Sequence, residues 1–301
     1  IIQNKIECIN RGFFKYIKNI FKLRRYIIDN KLNIIHVSWS KDIFIAVVLK
    51  FLIPGSIKII FYRQMKIPHQ KKIFYHKFFY KHIDSLLVIT DKLKEEAYRN
   101  IPIDKDKIIK LTYGISKPKL NFKVNKSDFI QRNNIDSEIF SIGVFSRVEE
   151  QKGQHLVLDA MNMSSNKMQL SIIGHVMSDE YKEELIIKAK IYHLNKYLKF
   201  INFLDSPMSY MPFFDLVILP TYEETFGLVA AEAMIMGVPI IGSNAGGVPE
   251  IITHGNNGLL FETKNMNDLS KKIDMIIDNK TLRNNIISNA HEYACKEFDY
   301  N

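Results

Sequence analysis

The sequence predicts an α/β protein with two doubly wound parallel sheets, each in a domain of its own. Runs of Ile, Val and Leu of strand length alternate with amphipathic segments of helix length throughout the 301 residues. These runs are apolar at almost every position, which is typical of parallel strands that helices cover on both faces. A content of 47% hydrophobic and 25% charged residues indicates a globular chain, and its length suffices for two hydrophobic cores.

The alternation gives the expected elements in chain order. Apolar runs predict strands at 33–38, 57–62, 85–90, 107–112, 139–146, 168–174, 198–203, 215–220 and 238–242. Segments with helical periodicity predict helices at 41–53, 70–82, 91–100, 153–162, 178–193, 226–236, 266–279 and 281–297.

The alternation lapses over the polar stretch 115–138, which contains Pro118, and no part of this stretch has the apolar density of a strand. We therefore predict a first domain at 1–118, a linker at 119–138 and a second domain at 139–301. Ligands of doubly wound sheets bind at the carboxyl ends of the strands, so we expect the site in a cleft between the two domains.

Charge is divided unevenly along the chain. Residues 1–118 carry 24 Lys and Arg against 9 Asp and Glu, a net charge of +15, whereas residues 119–301 carry a net charge of −5. A basic domain suits a polyanionic partner, such as nucleic acid, an anionic membrane face or a phosphorylated substrate. A general enrichment in Lys, together with Ile and Asn, is the alternative explanation.

Several functional classes find no support in the sequence. No apolar run reaches the roughly 18 residues of a membrane-spanning helix. The two cysteines, Cys8 and Cys295, lack metal-site spacing and suit a reducing cytoplasm. Neither GxGxxG nor GxxxxGK occurs, which disfavours dehydrogenases and P-loop enzymes. The Asp-Lys-Asp at 104–106 resembles a metal-binding pattern but lies in a lysine-rich turn, so we predict no metal and no cofactor.

The stretch PTYEETFGLVAAEAMIMGVPIIGSNAGGVPE contains a carboxylate where an apolar side chain is expected. Glu232 lies in a helix of Leu, Val, Ala and Met residues, and Glu224 precedes that helix. Burying an unpaired carboxylate is costly, so Glu232 requires a strong partner. The two hydroxyls of a ribose fit its two oxygens, and a structural Arg, Lys or backbone group is the alternative. Gly227 lets an anion approach the free N–H groups at the helix start.

Two further segments place phosphate-binding or sugar-binding groups after predicted strands. In GVFSRVEEQKG, Arg147 and Lys152 follow a buried strand and offer a guanidinium and an ammonium to phosphate oxygens. In NAGGVPE, Gly246 and Gly247 allow the backbone to approach a sugar closely. Each segment alone is equally typical of an ordinary surface turn.

Together, in this order, the three segments resemble the donor-binding half of the family 4 glycosyltransferases, retaining enzymes of the GT-B fold with two Rossmann-like domains. The resemblance extends over residues 139–297. It implies that Glu232 binds the nucleotide ribose and that Glu224 contacts hydroxyls of the donor sugar. It further implies that Arg147 and Lys152 stabilise the diphosphate. The remaining donor-binding positions would be Thr225, Phe226, Gly227, Leu228, Gly143, Gly246 and Gly247.

The first domain resembles the acceptor domain of the family more loosely. LNIIHVSWSKD matches a strand around a His, and IIKLTYGISK matches the segment that leads into the linker. Many members have a His near the anomeric carbon where this chain has Arg63 and Gln64. The acceptor-side candidates are therefore His36, Arg63 and Gln64. The first strand and the final helix of the family are incomplete, so we expect a chain truncated at both ends.

The resemblance predicts a metal-independent hexosyltransferase in the cytoplasm. It would move a sugar, with retention, from a nucleoside-diphosphate sugar to a glycan or lipid-linked envelope acceptor. The acceptor hydroxyl would enter on the face that the diphosphate leaves, and no nucleic acid partner is expected. The alternative, favoured by the basic first domain, is a non-catalytic GT-B-like module that binds nucleic acid or anionic lipid.

The segment RGFFKYIKNIFKLRR, residues 11–25, predicts an amphipathic helix with Phe14, Ile17 and Phe21 on its apolar face and Lys and Arg opposite. Such a helix can lie on an anionic bilayer with its rings among the headgroups. The enzyme would then be peripheral to the inner face of the membrane. The alternative is an ordinary helix whose apolar face packs on the first sheet.

Overall fold

The computed structural model describes residues 13–71, 73–117 and 125–299. The chain divides into two compact units, Ile1–Leu111 and Thr112–Asn301. Residues 112–117, which the sequence pattern assigns to the first domain, belong to the second unit. The N–H of Ile115 donates to the carbonyl of Phe298 at 2.7 Å, and Lys117 pairs with Asp299 at 3.0 Å.

The first unit contains a parallel sheet of four strands in the order β1-β2-β3-β4. Its elements in chain order are α1 Phe13–Asp29, β1 Ile34–Val37, α2 Ile43–Leu52, β2 Lys58–Arg63, α3 Phe74–Lys81, β3 Ser85–Val88, α4 Asp91–Asn100 and β4 Ile108–Lys110. Because successive strands advance in one direction and such crossovers are right-handed, α2, α3 and α4 cover the same face of the sheet.

Burial along these strands alternates accordingly. Val37, Ile59, Phe61 and Leu86 are buried beneath the helices. On the opposite face, Ile34 and Ile109 are about half exposed, at 53% and 47%. The described helices therefore cover one face of this sheet, whereas the continuously apolar runs predict cover on both.

Helix α1 packs on α2 through a narrow apolar stripe. Ile20 and Ile27 form a small core with Ile45 and Leu49 of α2. Phe21 lies outside this stripe and is 60% exposed. The side chains of Phe14 and Ile17 lie outside the described part of the chain.

The second unit contains a parallel sheet of six strands in the order β10-β9-β8-β5-β6-β7. Its elements are α5 Lys126–Arg132, β5 Phe140–Phe145, α6 Gln154–Met163, β6 Met168–Ile173, α7 Asp179–Ile191, β7 Leu198–Ile201, β8 Leu216–Leu219, α8 Leu228–Ile235, β9 Ile240–Ser243, α9 Val248–Ile251, β10 Leu259–Phe261, α10 Met266–Asp278 and α11 Lys280–Glu297.

This sheet is doubly wound. From β5 the chain moves outward through β6 and β7, then returns to β8 on the other side of β5 and moves outward again. The strand order therefore reverses between β5 and β8, and ligands of open parallel sheets bind outside the carboxyl ends of the strands at such a switch point. Two of the three segments with predicted donor-binding residues follow these two strands, and the third follows β9.

Candidate functional site

The loop after β5 and the turn after β8 are joined directly. The carbonyl of Gln151 accepts hydrogen bonds from the N–H of Tyr222 at 3.0 Å and from Oγ1 of Thr221 at 3.3 Å. Beyond these bonds, Nζ of Lys152 lies 3.1 Å from Oε2 of Glu224. Two residues that are 72 positions apart in the sequence thus form an ion pair at the switch point.

Arg147 lies on the same loop with its backbone fixed and its side chain accessible. The buried amide of Gln154 donates to the carbonyl of Arg147 at 2.7 Å and to Oγ of Ser146 at 2.9 Å. The Arg147 guanidinium pairs with Glu149 at 2.8 Å, and its side chain is 56% exposed. A surface ion pair of this kind is weak, so the guanidinium can exchange Glu149 for a ligand anion.

Glu232 faces a cavity of about 320 Å³ in the second unit. No hydrogen bond or ion pair joins its carboxylate to another residue in the part of the chain that the structure describes. Burial raises the pKa of the Glu232 carboxyl above its ordinary value. The cavity is lined by Phe145, Ser146, Arg147, Ile173, Gly174, His175, Phe203, Leu204, Pro207, Val229 and Glu232.

The glycine turn after β9 holds the backbone of Glu224 in place. The N–H of Gly247 donates to the Glu224 carbonyl at 2.8 Å. Gly246 has a φ of +62°, and a Cβ at this position would lie 1.8 Å from that same carbonyl oxygen. Any side chain at Gly246 would therefore displace the turn that bears Glu224.

Helix α8 begins at the predicted anion-binding turn. Gly227 precedes it with a φ of +101°, which glycine adopts without strain. The N–H of Thr225 donates to Oε1 of Glu224 at 3.1 Å. Phe226 is buried edge-on against Tyr113, at 5.1 Å between ring centroids, so only its backbone is available to a ligand. Leu228 begins the helix, where the first N–H groups lack helical partners.

Gly143 occupies a different environment from the other donor-side candidates. It lies inside β5, where an added Cβ would come within 2.8 Å of the Phe145 ring and 3.0 Å of Phe214. The structure does not bring it to the cavity. Its small size makes room for these two rings.

The acceptor-side candidates lie together in the first unit. His36 is exposed on β1, and its ring centroid lies 6.0 Å from that of Tyr62. Arg63 ends β2 and donates to the carbonyl of Lys66 at 2.6 Å and to Oγ of Ser40 at 3.5 Å. Gln64 follows Arg63 and is exposed at the carboxyl end of the strand.

Two residues on the wall of the cavity, His175 and Phe203, were not predicted. Their rings stack with a centroid distance of 4.7 Å and an interplanar angle of 5°. His175 directly follows the apolar run 168–174, and Phe203 ends the run 198–203. These positions could have indicated them, because the carboxyl ends of parallel strands share one edge of the sheet.

Two kinds of feature do not occur among the described residues. No group of three or more His, Cys, Asp or Glu side chains there has the arrangement of a metal site. The helices in these same ranges lack the length and apolar character needed to cross a bilayer.

The model of the family "Glycosyl transferases group 1" matches residues 125–293, more than half of the chain. The match covers both loops of the switch point and the glycine turn after β9. The chain therefore belongs to the group 1 glycosyl transferase family.

Relatives and a solved structure agree with this family. The chain is 25% identical over 290 residues to "Uncharacterized glycosyltransferase MJ1178" of Methanocaldococcus jannaschii, covering 93% of this chain and 76% of the relative. It is also 25% identical over 223 residues to the Campylobacter jejuni "N,N'-diacetylbacillosaminyl-diphospho-undecaprenol alpha-1,3-N-acetylgalactosaminyltransferase", covering 71% of this chain and 56% of that enzyme. The structure of Anabaena Alr3699/HepE in complex with UDP has a TM-score of 0.80 at 20% identity, covering 96% of this chain and 81% of that one. The α/β fold with two parallel sheets is thus that of the GT-B glycosyltransferases.

Proposed function

We propose that this chain is a retaining glycosyltransferase of family 4 that takes a hexosyl group from a nucleoside-diphosphate sugar. The observation that carries the proposal is the Glu232 carboxylate, which lines the cavity of the second unit without a protein partner among the described residues. Glu232 is half-buried, and taking a carboxylate even partly out of water without a partner is costly. A ligand that donates two hydroxyl hydrogens, as a ribose does, would remove that cost.

The remainder of the cavity suits a nucleoside. Its volume of about 320 Å³ is at the lower end of the range for small-molecule sites. The stacked rings of His175 and Phe203 present flat aromatic surface to a base, and aromatic rings favour stacked contacts. The UDP complex of the Anabaena structure supports a nucleotide ligand for this fold.

The diphosphate would lie at the ends of β5 and β8. Arg147 and Lys152 supply positive charge there, and the first turn of α8 adds N–H groups and the positive end of the helix dipole. Lys152 already contacts Glu224, so a bound phosphate would share its ammonium with that carboxylate. Glu224 would then accept hydrogen bonds from hydroxyls of the sugar.

The chemistry proposed for this arrangement is substitution on one face of the sugar. The bond from the anomeric carbon to the acceptor oxygen forms on the side where the bond to the phosphate oxygen breaks, and the departing phosphate takes the acceptor proton. Negative charge develops on that phosphate, and fixed cations and dipoles placed there lower the barrier. Arg147 and Lys152 supply this stabilisation without a metal ion.

The acceptor proposed is a glycan or a lipid-linked saccharide of the cell envelope. The Campylobacter jejuni relative, by its name, acts on a diphospho-undecaprenol-linked sugar. In the first unit, His36, Arg63 and Gln64 offer polar groups at or near the carboxyl ends of β1 and β2. These residues are the candidates for binding the acceptor, and we place the enzyme in the cytoplasm.

We also propose that the first unit docks on an anionic membrane. No Asp or Glu occurs between Asp42 and Asp84, a segment that carries eight Lys and Arg residues. Helix α3 in this segment exposes Phe74 at 83% and Phe78 at 44%, and Phe51 of α2 stacks beside Phe78 at 6.5 Å. Exposed aromatic rings among cations are the pattern of proteins that lie in the headgroup region.

Helix α1 continues this surface. Nε of Arg24 donates to the carbonyl of Leu52 at 2.9 Å, which fixes α1 beside the end of α2. Phe21 is exposed on α1, as the membrane interpretation of that helix requires, while Ile20 and Ile27 pack on α2. We call Phe21, Phe51, Phe74 and Phe78, with the cations around them, the aromatic–basic face.

A donor screen tests the proposed function. The chain is incubated with glucose linked to UDP, GDP or ADP, and release of nucleoside diphosphate is measured with and without acceptor. We expect turnover with one nucleotide, and weaker binding of that nucleotide in Glu232→Ala. Failure of all three to bind or react would contradict the proposal and favour a non-catalytic GT-B-like module.

A further inference from the structure

His155, three residues after Lys152, forms hydrogen bonds through both of its ring nitrogens. Nδ1 of His155, at the start of α6, lies 2.7 Å from Oη of Tyr181 on α7. Nε2 lies 2.7 Å from Oη of Tyr222, in the turn after β8. One half-buried imidazole therefore joins two elements of the scaffold to the turn that bears Glu224.

The two ring nitrogens take complementary roles. One carries the ring proton and donates to its tyrosine hydroxyl, and the other accepts from the second hydroxyl. The backbone N–H of His155 also donates to Oη of Tyr181 at 3.2 Å. The neutral imidazole, with one acceptor and one donor nitrogen, satisfies every group in this chain of bonds.

The turn held by this chain of bonds is the one that carries the ion pair. Tyr222 precedes Glu224 by two residues, and its N–H donates to the Gln151 carbonyl beside Lys152. The backbone bond and the His155–Tyr222 bond both anchor Tyr222. Two residues further on, the carboxylate of Glu224 lies 3.1 Å from the ammonium of Lys152.

We propose that His155 is a positioning residue for donor transfer, which holds Glu224 in place through Tyr222. This inference rests on the proposed function of Glu224. Loss of the two ring nitrogens would remove the bonds to both Tyr181 and Tyr222. The turn would then be freed from α7, and small displacements of positioning groups cost up to about 10²-fold in rate.

The charges around His155 set the direction of the pH effect. Burial, followed by the positive charge of Lys188, lowers the pKa of His155 below its ordinary value, while Asp159, Glu150 and Glu184 oppose this shift. Lys264 lies over the Tyr222 ring, 4.4 Å from its centroid. The imidazole is therefore neutral at neutral pH. Charging the imidazole is disfavoured in the folded state, so its stability contribution is present above pH 6.5 and is lost as the pH falls through the lowered pKa.

Three variants separate positioning from mere stability. His155→Leu removes both bonds, and Tyr222→Phe removes one while keeping the ring. His155→Gln retains a donor and an acceptor but does not titrate. Tyr192→Phe is the matched control, because its hydroxyl bonds Asp159 at 2.8 Å between the same two helices without touching the turn.

The first measurement is amide hydrogen exchange of residues 221–227 in the full chain, which requires no substrate. We expect protection factors about tenfold lower in His155→Leu and Tyr222→Phe than in the wild type at neutral pH. The Tyr192→Phe and His155→Gln variants should retain protection under the same conditions. Equal exchange in all proteins would overturn the proposal.

The second measurement is kcat and KM for the nucleotide–glucose that the wild type turns over. We expect kcat to fall about tenfold in His155→Leu, with the affinity for free nucleoside diphosphate unchanged. His155→Gln, which keeps a donor and an acceptor, should retain most of the wild-type kcat. A wild type without turnover would contradict the proposed function, whereas normal kinetics and normal exchange in His155→Leu would contradict only the role of His155.

Discussion

The ammonium of Lys152 lies 3.1 Å from the carboxylate of Glu224, although the two residues follow different strands of the second sheet. Both side chains are mostly buried, at 19% and 27% exposure. The pair joins the loop that would receive phosphate to the turn that would receive the sugar. Substitution of Lys152 and substitution of Glu224 are therefore expected to affect different parts of the donor.

Substituting Glu224 should separate nucleotide binding from sugar use. Glu224→Ala removes the carboxylate that pairs with Lys152 and leaves the ammonium in place. The affinity for free nucleoside diphosphate should therefore be maintained. Use of the intact sugar donor should decline, because the sugar hydroxyls lose an acceptor. Calorimetry with the nucleoside diphosphate and kinetics with the donor measure the two effects. Equal losses for both ligands would show that the role of Glu224 is assigned wrongly.

Substituting Glu232 should lower the affinity for the nucleotide and stabilise the ligand-free protein. A hydrogen bond to a charged group contributes roughly 1.5–3 kcal/mol, so Glu232→Ala should reduce nucleotide affinity about 10- to 150-fold. Unchanged affinity in a folded variant would exclude the ribose assignment.

The same carboxyl group leads to a separate prediction about how stability depends on pH. Burial raises the pKa of Glu232 in the folded state, so its stability contribution is present below the ordinary value of 4.5 and is lost as the pH rises through the raised pKa. The ligand-free Glu232→Gln variant should therefore melt at a higher temperature than the wild type at pH 7.5. Glu183→Gln, at an exposed position of α7, is the control and should leave the melting temperature unchanged.

Arg147 and Lys152 should contribute to turnover rather than to folding. Removing one fixed electrostatic group typically lowers the rate about 10²–10³-fold, and we expect this for Arg147→Ala and Lys152→Ala. The melting temperature should change little in Arg147→Ala, because this side chain is exposed. Turnover by the wild type should persist in EDTA, and a strict requirement for a divalent cation would contradict the mechanism.

Gly246→Ala should impair the donor site by steric displacement. The added Cβ would meet the Glu224 carbonyl at 1.8 Å, so the turn must move. Gly255→Ala is the control, since Gly255 also has a positive φ, +78°, but no atom within 4 Å of an added Cβ. Both variants should lose stability through backbone strain, of order 1–2 kcal/mol. Only Gly246→Ala should also reduce donor turnover, and equal kinetics would contradict the role given to this contact.

The aromatic–basic face should bind anionic vesicles in a salt-sensitive manner. Cations near such a surface contribute about 1 kcal/mol each, and salt screens them. Phe74→Ser and Phe51→Ser should reduce sedimentation with vesicles that contain phosphatidylglycerol. Ile191→Ser, which removes an equally exposed apolar side chain from the second unit, should not. If the wild type does not sediment with these vesicles at low salt, the proposal that this face docks on a membrane is wrong.

The fold of the second unit could be predicted because its strands are continuous apolar runs. The prediction at 139–146 corresponds to β5 Phe140–Phe145, and that at 215–220 to β8 Leu216–Leu219. Helix α5 was not predicted. Its sequence is polar, and it depends on one buried ring, Phe129, against Tyr210, and on the Asn125 side chain that caps its first N–H groups.

The candidate site was predictable only as separate segments. Arg147, Lys152, Glu224 and Glu232 follow from their residue types after apolar strands. Their pairing does not, because the contact between Lys152 and Glu224 depends on the strand order of the sheet. The bonds of His155 likewise join three elements distant in sequence, and no local pattern distinguishes it from other helix histidines.

The face of the first sheet that the described helices leave uncovered has a consequence for the colloidal behaviour of the protein. Apolar surface is exposed at Ile34 and Ile109 of the edge strands β1 and β4, and at Leu111 directly after β4. Such surface favours self-association. The net charge of +10 opposes it by keeping molecules apart at low ionic strength. Salt screens that repulsion but not the attraction between apolar faces. Purified protein should therefore remain monodisperse in dilute buffer and precipitate on addition of salt, the reverse of ordinary salting-in.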